Sequence, residues 1–379
     1  KGNGCWLWDE KGKKYLDAVA GIATCSLGHS NRILRKKLSA QLKKVQHISN
    51  LYKIEEQEEL SKYLTKQSCA ESVFFCNSGA EANESAIKLI KKYGNTVHKG
   101  KESFILAAES SFHGRTLATL SATGQPKYQK GFEPMVKGFK FFKYNDIASV
   151  KKLFEELKEN NQKASGILVE PIQGEGGVIP GDKKFFKELR EICNQYNSLL
   201  ILDEVQSGVG RTGKMWGYEN LEIEPDGFTL AKGLGGGHAI GALLVQKKAN
   251  IFSPGDHAST FGGNPFACRA AITVLEEIKR RRILKNVFER GNQLNEGFTK
   301  ISAKFPKIIS DIRGLGLIQG LVINDSYTDA KTITLKAFDK GLLLVPAGGN
   351  VVRFVPPLII SRNEINILLK KLDLIFEEM

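Results

Sequence analysis

Long apolar runs and paired cysteines are both missing from this sequence of 379 residues. No apolar segment approaches the roughly 20 residues that a helix needs to cross a bilayer, so we expect no membrane partner. The six cysteines include no Cys-x-x-Cys pair, and several lie inside apolar runs. We therefore expect a reduced, cytoplasmic protein rather than a disulfide framework. No Cys/His cluster has the spacing of zinc ligands, so no metal site is predicted.

Acidic residues are scarce relative to basic ones: 41 Asp and Glu stand against 55 Lys and Arg, which gives a net charge of +14. Such a charge could indicate nucleic-acid binding, and the densest basic run is Lys-Arg-Arg-Arg at residues 279–282. However, most lysines interleave with glutamates along predicted helices, which is typical of solvated faces. Aromatic residues do not alternate with the basic run, as a base-stacking surface would need. We predict no nucleic-acid partner.

Strand and helix patterns alternate between about residues 70 and 250, after a predicted hairpin at residues 6–17. This alternation favours an α/β fold with one doubly wound, mostly parallel sheet. The residues after about 281 read as helices with a few strands, which is typical of a smaller α+β unit.

His29 lies in a predicted loop, and we interpret it as a structural hydrogen-bonding residue.

Two buried strands are predicted to end in chemically active side chains. Residues 199–202 are an apolar run that ends at Asp203, and residues 228–231 end at Lys232. In an open α/β sheet, ligands bind beyond the carboxyl ends of the strands, so this acid and this lysine could meet over one ligand. A pyridoxal phosphate enzyme needs such a pair, with the lysine for a Schiff base and the acid for the pyridine nitrogen.

A nucleotide hydrolase is the alternative from another class, since it also uses an acid at a strand end and a lysine in a glycine loop. Residues 208–215, Gly-Val-Gly-Arg-Thr-Gly-Lys-Met, are one residue short of the phosphate-loop pattern. Met215 stands where a Ser or Thr should bind the metal, which argues against this alternative. A binding module without catalysis has little use for both Asp203 and Lys232.

Two further strand ends carry residues suited to a phosphate and to a planar ring. Ser78 follows a predicted strand and has capping-box spacing to Glu81, and the small residues between them would let a phosphate approach the helix N-terminus. Phe112 and Arg115 follow the next strand. They could stack on a planar ring and hold a carboxylate.

Six motifs in order resemble the class III, fold-type I pyridoxal phosphate aminotransferases, over essentially the whole chain. They are Asn-Ser-Gly-Ala-Glu-Ala-Asn at 77–83, Phe-His-Gly-Arg-Thr at 112–116, Glu-Pro-Ile-Gln-Gly-Glu at 170–175, Asp-Glu-Val-Gln at 203–206, Ala-Lys-Gly at 231–233 and Ser-Thr-Phe-Gly-Gly-Asn-Pro at 259–265. The resemblance implies a large doubly wound domain at residues 51–280. It also implies a smaller α+β domain from the two chain ends, residues 1–50 and 281–379.

The resemblance also implies the cofactor, pyridoxal 5'-phosphate, and its ligands. Lys232 would form the Schiff base and then act as base and acid, while Asp203 would pair with the pyridine nitrogen. Gln206 would hydrogen-bond the ring hydroxyl, and Phe112 would stack on the ring. The phosphate would be held by Ser78, Gly79 and Ala80, with Thr260 of the partner subunit, which implies a homodimer with shared active sites.

Within the class, the sequence is most similar to enzymes that act on N2-acetylornithine in arginine biosynthesis. This likeness implies transfer of the distal amino group to 2-oxoglutarate, giving N-acetylglutamate 5-semialdehyde and glutamate. Succinylornithine, a lysine-pathway analogue, ornithine and 4-aminobutyrate stay open as substrates. Ornithine-specific members place a tyrosine where Ile22 stands.

The resemblance implies that three residues let one pocket serve both substrates. Arg115 would hold the distant carboxylate of either substrate. Arg353 would hold the near carboxylate of glutamate, and Glu175 would neutralise Arg353 when the acylated substrate is bound, because an unpaired buried cation is unfavourable. The alternative is that Glu175 and Arg353 form an ordinary surface ion pair.

Overall fold

A seven-stranded sheet forms the centre of the computed structural model, which describes residues 1–99 and 101–379. The strands are β1 (Gly2–Asn3), β2 (Trp6–Trp8), β3 (Lys14–Asp17), β4 (Ser72–Cys76), β5 (Ser103–Ala108), β6 (Phe139–Phe142), β7 (Lys163–Val169), β8 (Ile172–Gln173), β9 (Ile179–Pro180), β10 (Leu199–Asp203), β11 (Gly227–Leu230), β12 (Gly241–Val245), β13 (Ile309–Leu315), β14 (Ile318–Ile323), β15 (Leu342–Leu343), β16 (Val345–Ala347) and β17 (Val351–Phe354).

The helices surround this sheet and continue into the C-terminal part of the chain. They are α1 (Ala20–Ala23), α2 (Arg32–Leu42), α3 (Glu55–Lys66), α4 (Gly79–Val97), α5 (Leu117–Ala122), α6 (Pro126–Gln129), α7 (Ile147–Glu159), α8 (Lys183–Gln195), α9 (Pro265–Arg280), α10 (Ile283–Lys304), α11 (Ala330–Asp339) and α12 (Arg362–Glu377). Short 3-10 turns lie at Gly217–Asn220, Lys232–Gly235 and Lys247–Ala249.

The central sheet has the order β4-β12-β11-β10-β7-β5-β6, and all neighbours are parallel except those of β12. All five residues of β10 are buried, as expected for an apolar strand in the middle of a parallel sheet. The predicted doubly wound, mostly parallel sheet is therefore confirmed.

The antiparallel direction of β12 was not predicted from the sequence. It follows from the short connection that precedes this strand. Residues 231–240 join β11 to β12. A parallel neighbour would need a crossover of a dozen or more residues, usually with a helix, so this short connection favours antiparallel pairing. The same connection begins with Lys232 of the predicted site.

Both chain ends contribute to smaller sheets beside the central one. The predicted hairpin at residues 6–17 is confirmed, because β2 and β3 pair antiparallel. β3 also pairs with β15 from the C-terminal part, with Leu16 opposite Leu342. The strands β13, β14, β17 and β16 form an antiparallel sheet. The domain bounds at residues 50 and 280 stay predictions.

The glycine-rich stretch at residues 208–215 does not form a phosphate-binding loop. It runs through turns into the 3-10 turn at Gly217–Asn220, without the strand and helix that flank such a loop. The Arg211 side chain is buried and donates to the carbonyl oxygens of Leu317 and Pro356, at 2.9 and 2.6 Å. This stretch ties β14 and β17 to the central sheet, so the nucleotide-hydrolase alternative has no structural basis.

Two kinds of feature are absent from the described residues. None of their helices combines the length and apolar character that crossing a bilayer requires. They also contain no group of three or more His, Cys, Asp or Glu residues placed to hold a metal ion. All six cysteines are free.

Candidate active site

A cavity of about 490 Å³ lies where β4, β5, β7, β10 and β11 end. These strands are parallel, so their carboxyl ends meet at one edge of the sheet. Asp203 and Lys232 both line the cavity, as the apolar runs that precede them predicted. Nine of the predicted site residues line it together: Ser78, Gly79, Ala80, Phe112, Arg115, Glu175, Asp203, Gln206 and Lys232.

Lys232 begins a 3-10 turn and has a left-handed backbone, with φ of 41°. Burial in the cavity lowers the pKa of its amine, although nearby Glu175 acts in the opposite direction. The next residue, Gly233, accepts a hydrogen bond from Ser26 Oγ at 3.0 Å, which fastens the turn to the N-terminal loop. A held lysine with a lowered pKa is suited to act as a nucleophile and as a base.

The Asp203 carboxylate is held in a buried hydrogen-bond network. Its Oδ2 lies 2.7 Å from His113 Nδ1 and 2.7 Å from Asn83 Nδ2. Thr229 Oγ1 donates to Asn83 Oδ1, and the Val205 amide donates to Asp203 Oδ1. The network leaves Asp203 few orientations, so its charge is directed at a fixed place in the cavity.

Glu170 is a second buried carboxylate at this edge of the sheet. It accepts hydrogen bonds from the amides of Phe112 and Gly174, at 3.0 and 3.1 Å. Burial raises its pKa to about 7, and the negative charge of Asp203 adds to the rise. Sequence reasoning assigned no role to Asn83, His113, Glu170 or Thr229. Asn83, His113 and Glu170 belong to the motifs that carry the resemblance, and this membership was the sequence signal that could have identified them.

The start of α4 has the geometry of a phosphate site. Ser78 Oγ accepts from the Glu81 amide, but the Glu81 carboxylate accepts from the Asn77 amide, one residue earlier than a capping box would have it. In the part of the chain that the structure describes, the amides of Gly79 and Ala80 donate to no acceptor. A Cβ on Gly79 would lie 2.8 Å from Val205 Cγ1, so only glycine fits there.

Phe112 and Arg115 lie at the cavity as predicted, with a second aromatic residue, Tyr128, beside them. The ring of Tyr128 is edge-on to Phe112 at 5.9 Å. The Arg115 guanidinium lies 4.1 Å from the centre of the Tyr128 ring, and its side chain is exposed. Stacking on Tyr128 limits the positions of Arg115 at the mouth of the cavity. Tyr128 was not predicted.

Glu175 lines the cavity and forms an ion pair with Arg353, which lies behind it and does not line the cavity; Arg353 Nη1 and Glu175 Oε1 are 2.6 Å apart. Only 1% of the Arg353 side chain is exposed, so the surface-pair alternative is wrong. Burial by itself would raise the pKa of Glu175, but the charge of Arg353 and its hydrogen bond hold that pKa below its usual value. Gln206 Oε1 also accepts from Arg353, at 3.0 Å, and a side-chain hydrogen bond from Gln206 helps to lower the pKa of Glu175.

Thr260 does not line the cavity of its own chain, and its side chain is exposed. The preceding residue is anchored, because Ser259 Oγ contacts Asn77 Nδ2 and accepts from the Gly262 amide. Asn50 Nδ2 donates to the carbonyl oxygens of Ser259 and Gly262. The loop is held, but Thr260 itself lies outside the cavity that the other predicted cofactor ligands line.

The groups that line the cavity fit pyridoxal phosphate. The free amides at the start of α4 suit the phosphate, Phe112 offers a flat face, and the buried Asp203 carboxylate suits a protonated pyridine nitrogen. Lys232 offers an amine in the same cavity.

Comparisons with known proteins agree with this arrangement. The model of the aminotransferase class-III family matches residues 1–376. The chain is 98% identical, over all of its residues and 91% of the relative, to acetylornithine aminotransferase of Prochlorococcus marinus subsp. pastoris.

Two solved structures extend the likeness to the fold. N-acetylornithine aminotransferase of Stenotrophomonas maltophilia is 35% identical, with a TM-score of 0.85 over 100% of this chain and 94% of that one. The ornithine aminotransferase of Toxoplasma gondii, with partial occupancy of PLP at its active site, is 30% identical. Its TM-score is 0.93 over 99% of this chain and 89% of that one.

Proposed function

Because the chain belongs to the class-III aminotransferase family, we propose that it transfers the δ-amino group of N2-acetylornithine to 2-oxoglutarate. The products are N-acetyl-L-glutamate 5-semialdehyde and glutamate. The activity is that of an acetylornithine aminotransferase, its cofactor is pyridoxal phosphate, and it serves arginine biosynthesis. When bound, the cofactor supplies an electron sink that delocalises the carbanion formed on the substrate.

The observation that carries the proposal is the ion pair between Glu175, which lines the cavity, and Arg353, which is buried behind it. The two substrates that alternate in this site differ at that wall. Glutamate has a carboxylate beside its reacting amine, and N2-acetylornithine has only methylene groups there. Glu175 would neutralise Arg353 against the methylene chain. It would release Arg353 to bind the carboxylate of glutamate bidentately.

The distant carboxylate of both substrates would be bound by Arg115. Its exposed guanidinium at the cavity mouth can reach a ligand, and Tyr128 supports it from one side. The acyl group would then lie near the mouth as well. The apolar part of the substrate would lie between Arg115 and the reacting amine.

Lys232 and Asp203 would perform the chemistry at the base of the cavity. Lys232 Nζ is the amine that would hold the cofactor covalently. The neutral amine, favoured by the lowered pKa, would then take the proton from the carbon that bears the leaving amino group. Asp203 would keep the pyridine nitrogen protonated, and His113 and Asn83 would hold Asp203 in place.

The phosphate site would be completed by Thr260 of the partner subunit in a homodimer with shared sites. Support comes from the exposure of Thr260, which lies outside the cavity of its own chain, and from the free amides of Gly79 and Ala80 at the start of α4. The same proposal includes a cytoplasmic location, in which the six free cysteines stay reduced.

The test is a half-reaction of the purified holoenzyme with N2-acetylornithine and no keto acid. The visible absorption of the bound cofactor should disappear in proportion to the number of sites, and 2-oxoglutarate should restore it. The same measurement with ornithine, succinylornithine and 4-aminobutyrate ranks the donors. A rate constant for another amine that equals or exceeds that for N2-acetylornithine would contradict the proposed substrate.

A further inference from the structure

We propose that a cleft between the start of α2 and the end of α9, outside the active site, binds a small multivalent anion such as a phosphate ester or a polycarboxylate. This arginine cleft has a volume of about 410 Å³. It is lined by Arg32 and Arg35 of α2, by Arg280 and Arg281 at the end of α9, and by His29. The inference does not depend on the proposed reaction.

The arginine cleft carries an excess of positive charge. Its single lining carboxylate, Glu277, is fully engaged by Arg280, with both N–O distances at 2.7 Å. Arg32, Arg35 and Arg281 make no ion pair with any residue that the structure describes. Four arginines against one carboxylate leave an excess of three positive charges in a concave site.

The start of α2 adds to this positive potential. A helix N-terminus has a partial positive charge and normally favours acidic residues in its first turn, but α2 has none there. Instead, Arg32 and Arg35 are three residues apart and therefore lie on one face of this end. The Asn31 side chain caps the amides of Ile33 and Leu34, so the helix itself is satisfied. The repulsion among these charges is relieved when an anion binds.

His29 closes the cleft from the N-terminal loop. Its Nε2 lies 2.7 Å from Oδ2 of the buried Asp17. The hydrogen bond to Asp17 raises the pKa of His29 to about 9, so the imidazole is charged at neutral pH and is balanced by Asp17. The pair therefore leaves the excess of three charges on the arginines unchanged.

The four arginines are exposed, as on a solvated basic surface, but helix stability alone does not explain their arrangement. Basic residues at the end of α9 are expected, because cations stabilise a helix C-terminus, and this accounts for Arg280 and Arg281. It does not account for two arginines at the positive end of α2. The concave shape and limited volume also fit a small ligand, whereas nucleic acids bind along extended basic surfaces.

The experiment measures binding of inorganic pyrophosphate and of citrate to the holoenzyme by isothermal titration calorimetry. Two double variants remove the same charge from α2: R32Q/R35Q inside the cleft and K36Q/K37Q on exposed residues outside it. We expect one site per chain with a submillimolar Kd. R32Q/R35Q should weaken binding by about tenfold or more, and K36Q/K37Q by about twofold or less.

The preferred anion distinguishes the two ligand sources, since tighter pyrophosphate binding indicates a phosphate ester and tighter citrate binding a polycarboxylate. Absence of binding, or equal weakening in both double variants, would overturn the inference. A short single-stranded RNA that binds more tightly than either anion and displaces it would overturn the small-ligand assignment. If R32Q/R35Q does not fold, the matched pair R281Q and R282Q gives the same comparison, because Arg282 does not line the cleft.

Discussion

His113 Nδ1 and Asp203 Oδ2 lie 2.7 Å apart, and both side chains are closed to solvent. The two residues are 90 positions apart in the chain and meet where β5 and β10 end. His113 therefore acts as a positioning residue, which holds the carboxylate that would face the pyridine nitrogen of the cofactor.

Replacing His113 should loosen the cofactor site. In His113→Phe, Asp203 loses one of its two side-chain donors, so the Kd for pyridoxal phosphate should rise and kcat should fall, each by about tenfold. His113→Gln can still donate a hydrogen bond to Asp203 and should recover part of the cofactor affinity and part of kcat. Fluorescence titration of the apoenzyme measures the Kd. His98→Phe, at the end of α4, is the control and should change neither value.

Lys232→Ala should abolish turnover while the folded protein still binds the cofactor. Loss of a positioned acid and base costs about 10²- to 10⁴-fold in rate, and the covalent attachment is lost as well. Lys214→Ala is the matched control, because Lys214 lies in the glycine-rich stretch outside the cavity. Turnover by Lys232→Ala within tenfold of the wild type would contradict the assignment.

Glu175→Ala should impair the two half-reactions unequally. It leaves the buried Arg353 charge without its partner, and breaking a buried ion pair costs about 3–5 kcal/mol. Glutamate can replace the missing charge with its own carboxylate, whereas N2-acetylornithine cannot. Stopped-flow measurement should therefore show at least about a tenfold larger loss with N2-acetylornithine. Equal losses would argue against the switch, and Glu289→Ala, from an exposed pair, provides the control.

Mixed dimers test whether Thr260 acts in the partner's site. Subunits with Lys232→Ala and subunits with Thr260→Ala should both be impaired when homodimeric. If Thr260 acts across the interface, a mixed dimer contains one site with both residues intact, and activity should return after subunit exchange. If Thr260 acts within its own chain, each site of the mixed dimer has one defect and no activity should return.

The ion pair of His29 and Asp17 should make stability depend on pH. Hydrogen bonding to Asp17 raises the pKa of His29 from 6.5 to about 9 in the folded protein. Because the pKa is raised on folding, the pair stabilises the folded state fully below pH 6.5, by at most about 3 kcal/mol. This contribution to the free energy of unfolding is lost as the pH rises towards 9. The difference in unfolding temperature between wild type and Asp17→Asn should therefore shrink over that range. Asp9→Asn, with similar amide contacts but no histidine partner, should show no such trend.

The local pattern of the sequence was sufficient for the elements and for the ends of the strands. The apolar run before Asp203 predicted a buried strand, because only an interior strand has no polar face. Ser78 was predicted to cap α4, because a cap depends on residues within one turn. The return hydrogen bond of the capping box differed by one residue, since the Glu81 carboxylate accepts from the Asn77 amide rather than from the Ser78 amide.

Contacts between distant parts of the chain were decided only by the tertiary structure. The sequence contained Glu175 and Arg353, but their 2.6 Å contact depends on where the fold places β17, which pairs with β14 and β16 in the C-terminal sheet. The network of Asn83, His113 and Thr229 around Asp203 likewise joins three elements, α4, β10 and β11, and the loop after β5. Hydrophobic periodicity specifies which face of each element is buried, and it carries no information about which polar side chains meet once those faces pack. The sequence therefore predicted the cofactor chemistry through the six motifs that contain the strand-end residues. Packing decided which charges are paired and which, as in the arginine cleft, have no ion-pair partner among the described residues.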